Sequence, residues 1–325
     1  MAHKKIIIRN DQGVEVNANA PIIVSASRST DIPAFYADWF FNRLNKGYAI
    51  WQNPFNGKDS YVSFAQTRFV VFWSKNPKPL IPHLPILKEK GIGFYIQYTL
   101  NDYDSEQLEP GVPPLTERIE IFKRIVDKHG LGSVVWRFDP LILTDKITLE
   151  LLLQKIATIA KQLNGYTEKL VFSFADISSY RSVARNLSAT GINYNEWDTE
   201  TMLTFARNLS NMQLPLQIST CAENINLEKF GIQHNQCIDP ELIARRSTHN
   251  AELQSFLQNA KPDSGQRKLC GCILAKDIGA YNTCPHLCKY CYANYSPQNV
   301  INNFSKHKNN SESIINTSVN FYRKH

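Results

Sequence analysis

Short runs of apolar residues, rich in β-branched and aromatic side chains, recur along the chain between polar stretches. Uninterrupted runs of this kind are typical of strands that are buried on both faces, as in a parallel sheet. We predict seven such strands, at residues 22–26, 48–51, 69–73, 94–99, 134–137, 170–174 and 216–219. A later run at 272–276 is a candidate for an eighth strand.

Between these runs, apolar residues recur every three or four positions, which is the spacing of one helix face. The clearest series are Leu115, Ile119, Phe122 and Val126; Leu149, Leu152, Ile156, Ile159 and Leu163; and Met202, Phe205 and Leu209. Strands that alternate with helices indicate an α/β fold, and the number of strands favours a TIM-like (β/α) barrel. An open doubly wound sheet is the alternative, although no Gly-x-Gly-x-x-Gly segment follows a predicted strand, as a dinucleotide-binding version requires.

The predicted strands end in polar or rigid residues. Loops that follow the strands of a barrel meet at one face, and that face holds the active site. We therefore expect one pocket to be lined by Arg28, Asp31, Asn53, Lys75, Asn76, Arg137, Asp139, Asp176 and Glu223. The same residue types also cap helices and form turns, and the prolines shortly after Asp31 and Asp139 fit that second interpretation.

Arg137 and the loop at 101–114 add to this prediction. Arg137 lies in strand sequence between Trp136 and Phe138, where an unpaired arginine is costly to bury. We therefore expect an acidic partner or an anionic ligand beside it. The segment 101–114 contains three prolines and no helical pattern. Loops of this length in a compact domain are usually lids or binding segments.

Composition restricts the class of protein. The chain has 325 residues, 43% of them hydrophobic, which is enough for one large domain or two ordinary ones. No apolar run reaches the roughly 18 residues of a membrane span, and Ile6-Ile7-Ile8 is too short for a signal peptide. We predict a cytoplasmic protein with no membrane partner. The formal charge of +7 permits an anionic substrate or a nucleic acid without requiring either.

Five of the seven cysteines lie between positions 270 and 291. In a reducing compartment such a group indicates metal binding rather than disulfides. Cys284, Cys288 and Cys291 have C-x3-C-x2-C spacing, so one loop can direct three thiolates at one point. Thiolates are the ligands that iron–sulfur clusters and zinc prefer, and three of them leave one coordination position open for chemistry.

The other cysteines leave alternatives open. If Cys270 or Cys272 supplies a fourth ligand, the site is closed, and a cluster there is structural or transfers electrons. A zinc site is also chemically possible with these five thiols. Cys221 and Cys237 are isolated in sequence and fit small buried apolar positions, with Cys221 at a strand tip within reach of the pocket. We expect His286, inside the motif, to face solvent or the substrate.

The segment Cys284-Pro-His-Leu-Cys288-Lys-Tyr290-Cys291-Tyr292 resembles the cluster motif of radical S-adenosylmethionine (SAM) enzymes, and its Tyr-Cys-Tyr ending is similar to that of spore photoproduct lyase. The resemblance implies that three cysteines hold a [4Fe–4S] cluster, that SAM binds the open iron, and that SAM cleavage yields a radical that abstracts hydrogen from substrate. It also implies that Tyr290 lies near SAM. The wider chain, with Ser-Arg-Ser-Thr-Asp-Ile-Pro near its start, resembles a bacterial family defined by a domain of unknown function (DUF1848), which implies no activity.

The motif departs from that superfamily in position and in one accompanying segment. It usually follows the first strand, whereas here it lies near the C-terminus. Because the last strand of a barrel neighbours the first, a cluster loop after the last strand still opens on the same face. The Gly-Gly-Glu-like segment that usually binds the SAM amino group is missing. We expect the tip of the first strand, 27–31, to replace it, with Ser27 and Asn76 near SAM and Lys75 close to its carboxylate or ribose.

These observations lead to two hypotheses. We predict a barrel body at 1–268, an iron–sulfur segment at 269–300 and a polar tail at 301–325. In the first hypothesis the protein is a radical SAM-type enzyme, reduced by a donor such as flavodoxin or ferredoxin, that acts on an anionic or nucleic-acid-derived substrate. Its pocket residues are Arg28, Asp31, Lys75, Arg137 and Asp139. In the second hypothesis the cysteines hold structural zinc or a closed cluster, and hydrolysis or nucleic-acid binding falls to Asp31, Asp139, Asp176 and Glu223.

Overall fold

The computed structural model describes residues 3–54, 56–267 and 269–315. In chain order its strands are β1 (Lys4–Arg9), β2 (Glu15–Ala20), β3 (Ile23–Ala26), β4 (Tyr48–Gln52), β5 (Asp59–Ser63), β6 (Phe69–Ser74), β7 (Gly93–Thr99), β8 (Val134–Leu141), β9 (Leu143–Thr144), β10 (Lys169–Phe174), β11 (Tyr194–Asn195), β12 (Gln217–Thr220), β13 (Gln233–His234) and β14 (Lys276–Asp277).

The helices of the described residues lie mostly between these strands. They are α1 (Ile32–Phe35), α2 (Ala37–Lys46), α3 (Leu84–Glu89), α4 (Leu115–His129), α5 (Leu149–Gln162), α6 (Arg181–Ser188), α7 (Thr199–Asn211), α8 (Pro240–Arg246), α9 (Ala251–Gln258) and α10 (Pro297–Lys306), with 3-10 turns at Lys78–His83 and Glu228–Phe230. The three predicted helical series correspond to α4, α5 and α7. Side chains cap two of these, since Thr148 accepts from the Leu151 N–H and Asp198 from the Thr201 N–H.

The main sheet has eight strands in the order β13-β12-β10-β8-β7-β6-β3-β14, and every neighbouring pair is parallel. The α/β prediction is therefore confirmed. The strands follow chain order except for β14, which returns from the C-terminal part to pair with β3, with Lys276 opposite Val24. The last strand of the sheet in chain order, β14, thus lies beside the first, β3. The cysteine motif, which follows β14, is therefore placed next to the loop after β3.

The sheet is open, so the closed TIM-like barrel is not observed. Within the described residues β13 and β14 are its two edges. Each edge strand has only two residues, too few for a closing ladder, and α8 and α9 occupy the connection between them. One backbone hydrogen bond crosses this gap, from Ile273 N to Ile238 O at 3.3 Å.

A second sheet, in the order β1-β2-β5-β4, corrects another prediction. The run at 48–51 does form a strand, but β4 pairs antiparallel with β5 in this smaller sheet and not with the parallel strands. Its expected place among the eight is taken by β13, which was not predicted. A third sheet consists of β9 and β11 alone.

Both faces of the main sheet are buried, as the uninterrupted apolar runs predicted. Side chains alternate along each strand, so Val70 and Phe72 of β6 pack into one core while Phe69 and Val71 pack into another. The second core also contains Cys237 and Cys272 and the apolar face of α8.

The carboxyl ends of the parallel strands share one edge, and the loops after them, including the cysteine segment after β14, open there. The predicted domain boundaries stay predictions. The helix α10 crosses the boundary at residue 300, and residues 316–325 of the predicted tail lie outside the described residues. None of the described helices is long and apolar enough to cross a bilayer.

Candidate functional site

A cavity of about 1220 Å³ lies at the carboxyl edge of the parallel sheet. Most of the predicted strand-tip residues line it: Ser27, Arg28, Asp31, Lys75, Arg137, Asp139, Asp176 and Glu223. Asn53 and Asn76 are not in its wall. Asn53 follows β4 in the smaller sheet, and the Asn76 side chain accepts from Lys78 N at 3.3 Å at the start of a 3-10 turn. All seven cysteines of the chain also line this cavity.

The motif cysteines Cys284, Cys288 and Cys291 lie in an irregular segment of turns. Leu287 N donates to Cys284 O at 3.4 Å and Cys291 N donates to Cys288 O at 3.1 Å. Burial raises the pKa of all three thiols. Within residues 3–54, 56–267 and 269–315, no three His, Cys, Asp or Glu side chains form a group that could hold a metal ion. The site is therefore three thiols on one wall, not a preassembled metal centre.

Asp31 attaches the motif to the strand tips. Its Oδ1 accepts from Ala34 N at 3.0 Å and Ser74 Oγ at 2.7 Å, and its Oδ2 accepts from Lys75 N at 2.7 Å and His286 Nε2 at 2.8 Å. Four donors thus occupy this buried carboxylate. This arrangement fits a positioning role for Asp31, between the ends of β3 and β6 and the cysteine loop.

His286 is buried and does not face bulk solvent, but it is among the residues that line the cavity. Its Nδ1 lies 2.8 Å from Gly111 O, and its backbone carbonyl accepts from Gly111 N at 3.0 Å. Both ring nitrogens therefore lie within hydrogen-bonding distance of an oxygen, Nδ1 of Gly111 O and Nε2 of Asp31 Oδ2. A Cβ on Gly111 would lie 2.7 Å from Pro285 O, so the loop at 101–114 approaches the motif this closely only with glycine here.

Lys75 and Tyr290 are joined by a carboxylate that sequence reasoning missed. Lys75 Nζ donates to Glu109 Oε1 at 2.7 Å and to Tyr290 Oη at 2.8 Å, and the Tyr290 hydroxyl also donates to Glu109. Asn101 Nδ2 donates to both partners of Lys75, and Arg118 Nη1 lies 3.7 Å from Glu109 Oε2. Burial opposes ionisation of Glu109, but the charges of Lys75 and Arg118 outweigh it and lower the pKa. The only sequence signal was the proline-containing loop that carries Glu109.

The acidic partner expected for Arg137 is Asp139. Arg137 donates to Asp139 Oδ2 from Nε at 3.1 Å and also from Nη2, and its Nη1 lies 3.3 Å from Gln97 Oε1. Ser173 donates to the other oxygen of Asp139. Arg28 lies nearby, 4.0 Å from Asp277, and the guanidinium groups of Arg28 and Arg137 lie 5.1 and 5.2 Å from the Trp73 ring centroid. Two arginines therefore share one wall of the cavity.

The remaining cysteines form a second group on that wall. Cys221 Sγ and Cys237 Sγ are 3.4 Å apart, and Cys272 is within hydrogen-bonding reach of Cys237 and of Cys270. As expected, Cys237 is buried in the second core and Cys221 reaches the cavity; although isolated in sequence, the two thiols meet in the fold. Cys270 and Cys272 make their thiol contacts in this group and not with the motif, so the structure does not bring a fourth thiol to Cys284, Cys288 and Cys291.

Aromatic side chains lie on another part of the cavity wall; the motif includes one of them, Tyr292, but the sequence did not indicate its neighbours Tyr180 and Tyr281. Tyr292 lies between Tyr180 and Tyr281, with ring centroids 5.7 and 6.2 Å away. Arg267 lies 5.9 Å from the Tyr180 ring and donates to its hydroxyl. Flat rings beside a guanidinium suit a planar or anionic ligand group.

Glu223 is a cavity carboxyl group with a raised pKa. Burial raises the pKa of Glu223 to about 7. The backbone N–H of Phe174 and the charge of Arg267 act against this rise, while Asp139 and Asp176 add to it. The group is thus suited to exchange protons near neutral pH.

We expect Glu223→Gln to remove a pH-dependent loss of stability. As pH rises from about 4.5 to about 7, the unfolded chain releases this proton while the folded chain keeps it, so stability falls. Above about pH 7, the destabilisation caused by the raised pKa of Glu223 no longer changes with pH. Urea unfolding at about pH 5 and about pH 8 should show the variant gaining about 2–3 kcal/mol on the wild type at the higher pH. The exposed Glu228→Gln is the control, and equal pH dependence in wild type and Glu223→Gln contradicts the prediction.

Together, the open parallel sheet and the cysteine-lined cavity at its carboxyl edge define an α/β protein with a thiol-rich site. Residues 23–293 match the family model described as Domain of unknown function (DUF1848), so the chain belongs to this family. No curated protein matches the chain. No solved structure matches it either.

Proposed function

We propose that this protein is a radical SAM-type enzyme that holds a [4Fe–4S] cluster through Cys284, Cys288 and Cys291. The observation that carries the proposal is that these three thiols line one cavity at the carboxyl ends of parallel strands. The thiols of Cys270 and Cys272 contact other cysteines. A set of three thiolates leaves one iron open for a further ligand.

The residues present fit such a group in chemistry and space. Thiolates are the usual ligands of iron–sulfur clusters. The motif has no helix or strand that would resist a local rearrangement, and sites of this kind often form only as the metal binds. The cavity of about 1220 Å³ exceeds the roughly 300–1,000 Å³ of a typical small-molecule pocket, which leaves room for SAM beside a substrate.

When bound, the cluster and SAM supply one-electron cleavage of SAM and hydrogen abstraction from substrate. The residues of the chain hold and orient the reactants. Arg28 offers positive charge to the SAM carboxylate or to an anionic substrate, and Arg137, whose own charge is paired with Asp139, lies beside it on the same wall. The rings of Tyr180 and Tyr292 offer faces on which a nucleobase can stack. A nucleic-acid-derived substrate, a flavodoxin- or ferredoxin-type electron donor and a cytoplasmic location belong to this proposal.

The second hypothesis receives less support from the contacts. Four donors occupy Asp31, while Arg137 and Ser173 occupy Asp139. Of the four carboxylates suggested for hydrolysis, these two are therefore committed to the fold. A structural zinc or closed cluster remains the competing outcome of the test below.

The test is anaerobic reconstitution with iron and sulfide, followed by EPR of the dithionite-reduced protein with and without SAM. We expect a [4Fe–4S]+ signal that shifts when SAM is added. Cys288→Ala should lose the signal and most bound iron, whereas Cys270→Ala, the matched control, should keep both. A signal indifferent to SAM, iron retained in Cys288→Ala, or iron lost equally in Cys270→Ala would contradict the proposal.

A further inference from the structure

Two cysteines outside the motif meet at the ends of neighbouring strands. Cys221 directly follows β12, and Cys237 comes shortly after β13, which pairs with β12 through Thr220 and His234. Their sulfur atoms lie 3.4 Å apart. A disulfide measures about 2.05 Å, so these are two thiols in contact, about 1.4 Å of travel from a bond. Both line the cavity.

The two sulfurs have different surroundings. Cys237 Sγ accepts hydrogen bonds from Arg137 Nη1 at 3.1 Å and from Asn235 Nδ2 at 3.2 Å. A permanently charged guanidinium and an amide donor both stabilise a thiolate, the nucleophilic form of cysteine. The Cys221 sulfur has no such donors among its described contacts, and either sulfur can be the donor in its contact with Cys237. The pair thus combines one stabilised thiolate with one adjacent thiol, the combination that thiol–disulfide exchange uses.

We propose that Cys221 and Cys237 form a redox-active dithiol–disulfide pair that reacts with a disulfide entering the cavity. The Cys237 thiolate attacks one sulfur of the disulfide RSSR, whose S–S bond breaks and releases RS⁻. Cys221 gives its proton to that thiolate and attacks the Cys237 sulfur of the mixed disulfide. The Cys221–Cys237 bond forms and the second RS⁻ leaves, taking a proton from water. The protein loses two electrons, and RSSR gains them as two thiols.

This inference does not rest on the proposed iron–sulfur cluster, because it uses neither the motif cysteines nor SAM. Cys272 is the nearest competitor, since it also lies within hydrogen-bonding reach of Cys237. The identity of the partner of Cys237 therefore has to be determined directly. A metal bound by this group of thiols is a further outcome that the experiment must separate.

The experiment treats the reduced full-length protein, without reconstitution, with oxidised glutathione under anaerobic conditions. Free thiols are counted by alkylation after denaturation, disulfide-linked peptides are identified by mass spectrometry, and metal content is measured before treatment. We expect two of the seven thiols to be lost, in a single Cys221–Cys237 peptide pair. Cys221→Ser should accumulate glutathione on Cys237. Cys237→Ser should react much more slowly, and Cys272→Ser should behave as the wild type.

Three results would overturn the inference. They are a Cys237–Cys272 disulfide in place of the expected one, no intramolecular disulfide at all, or zinc or iron in the isolated protein that Cys221→Ser loses. Even if a variant fails to fold, the wild-type peptide map decides the first two results, and the metal content of the wild-type protein shows whether the third can arise.

Discussion

Glu109→Gln is expected to lower the free energy of unfolding by roughly 3–5 kcal/mol. The side chain of Glu109 is completely buried, as is that of Arg118, and Lys75 donates to it at 2.7 Å. Removing the carboxylate charge leaves Lys75 without its anion and leaves the buried Arg118 with Asp104, at 3.2 Å, in place of two acidic partners. The loss of a buried partner costs far more than the pair itself contributes, because the remaining charge has been removed from water.

The control for this prediction is a Glu–Lys ion pair at the protein surface. Glu117 pairs with Lys78 at 2.8 Å, but the two side chains are 39% and 59% exposed. Glu117→Gln should therefore cost under about 1 kcal/mol. Urea unfolding of both variants at neutral pH gives the comparison. If the two costs agree within about 1 kcal/mol, the network around Glu109 does not stabilise the protein in the way argued here.

The sequence predicted the main sheet well because its signals are local. Uninterrupted apolar runs marked β6, β7, β8 and β10. A C-terminal strand does return to the first one, but it is β14 (Lys276–Asp277), which overlaps the predicted run at 272–276 only at Lys276. Assignment of β4 failed because a strand pattern does not say which sheet the strand joins. The two-residue β13 is too short to leave any pattern.

For the candidate site, the sequence predicted which residues lie at the carboxyl edge of the sheet, but not which of them contact one another. Strand-tip positions and the cysteine spacing identified eight polar or charged residues of the cavity wall and its three motif cysteines. The hydrogen-bond partners of these residues could not be predicted because they come from distant parts of the chain. Lys75 bonds to Glu109, and Asp31 bonds to His286. Cys221 contacts Cys237 because of the register between β12 and β13. The residues around each cysteine contain no signal for that register.

Asp31→Asn is expected to have the second large effect, a loss of roughly 2–4 kcal/mol. An asparagine side chain has one acceptor oxygen, and its NH₂ group would face two of the four donors that now surround the carboxylate. The His286 ring would also lose its carboxylate partner, 2.8 Å from Nε2. Because His286 lies inside the cysteine motif, the same change should reduce iron bound after reconstitution.

Asp198→Asn provides the matched control, since Asp198 also caps a helix but is exposed to solvent. Aspartate and asparagine are equally good N-caps, so this change should leave the urea midpoint and the iron content unaltered. Asp31 caps α1 in the same manner, and its capping bond alone therefore cannot make Asp31→Asn costly. A large difference between the two variants would come from the bonds to β6 and His286. If Asp31→Asn proves as mild as Asp198→Asn, the carboxylate is not needed to hold the motif, and a direct catalytic role for Asp31 becomes the better interpretation.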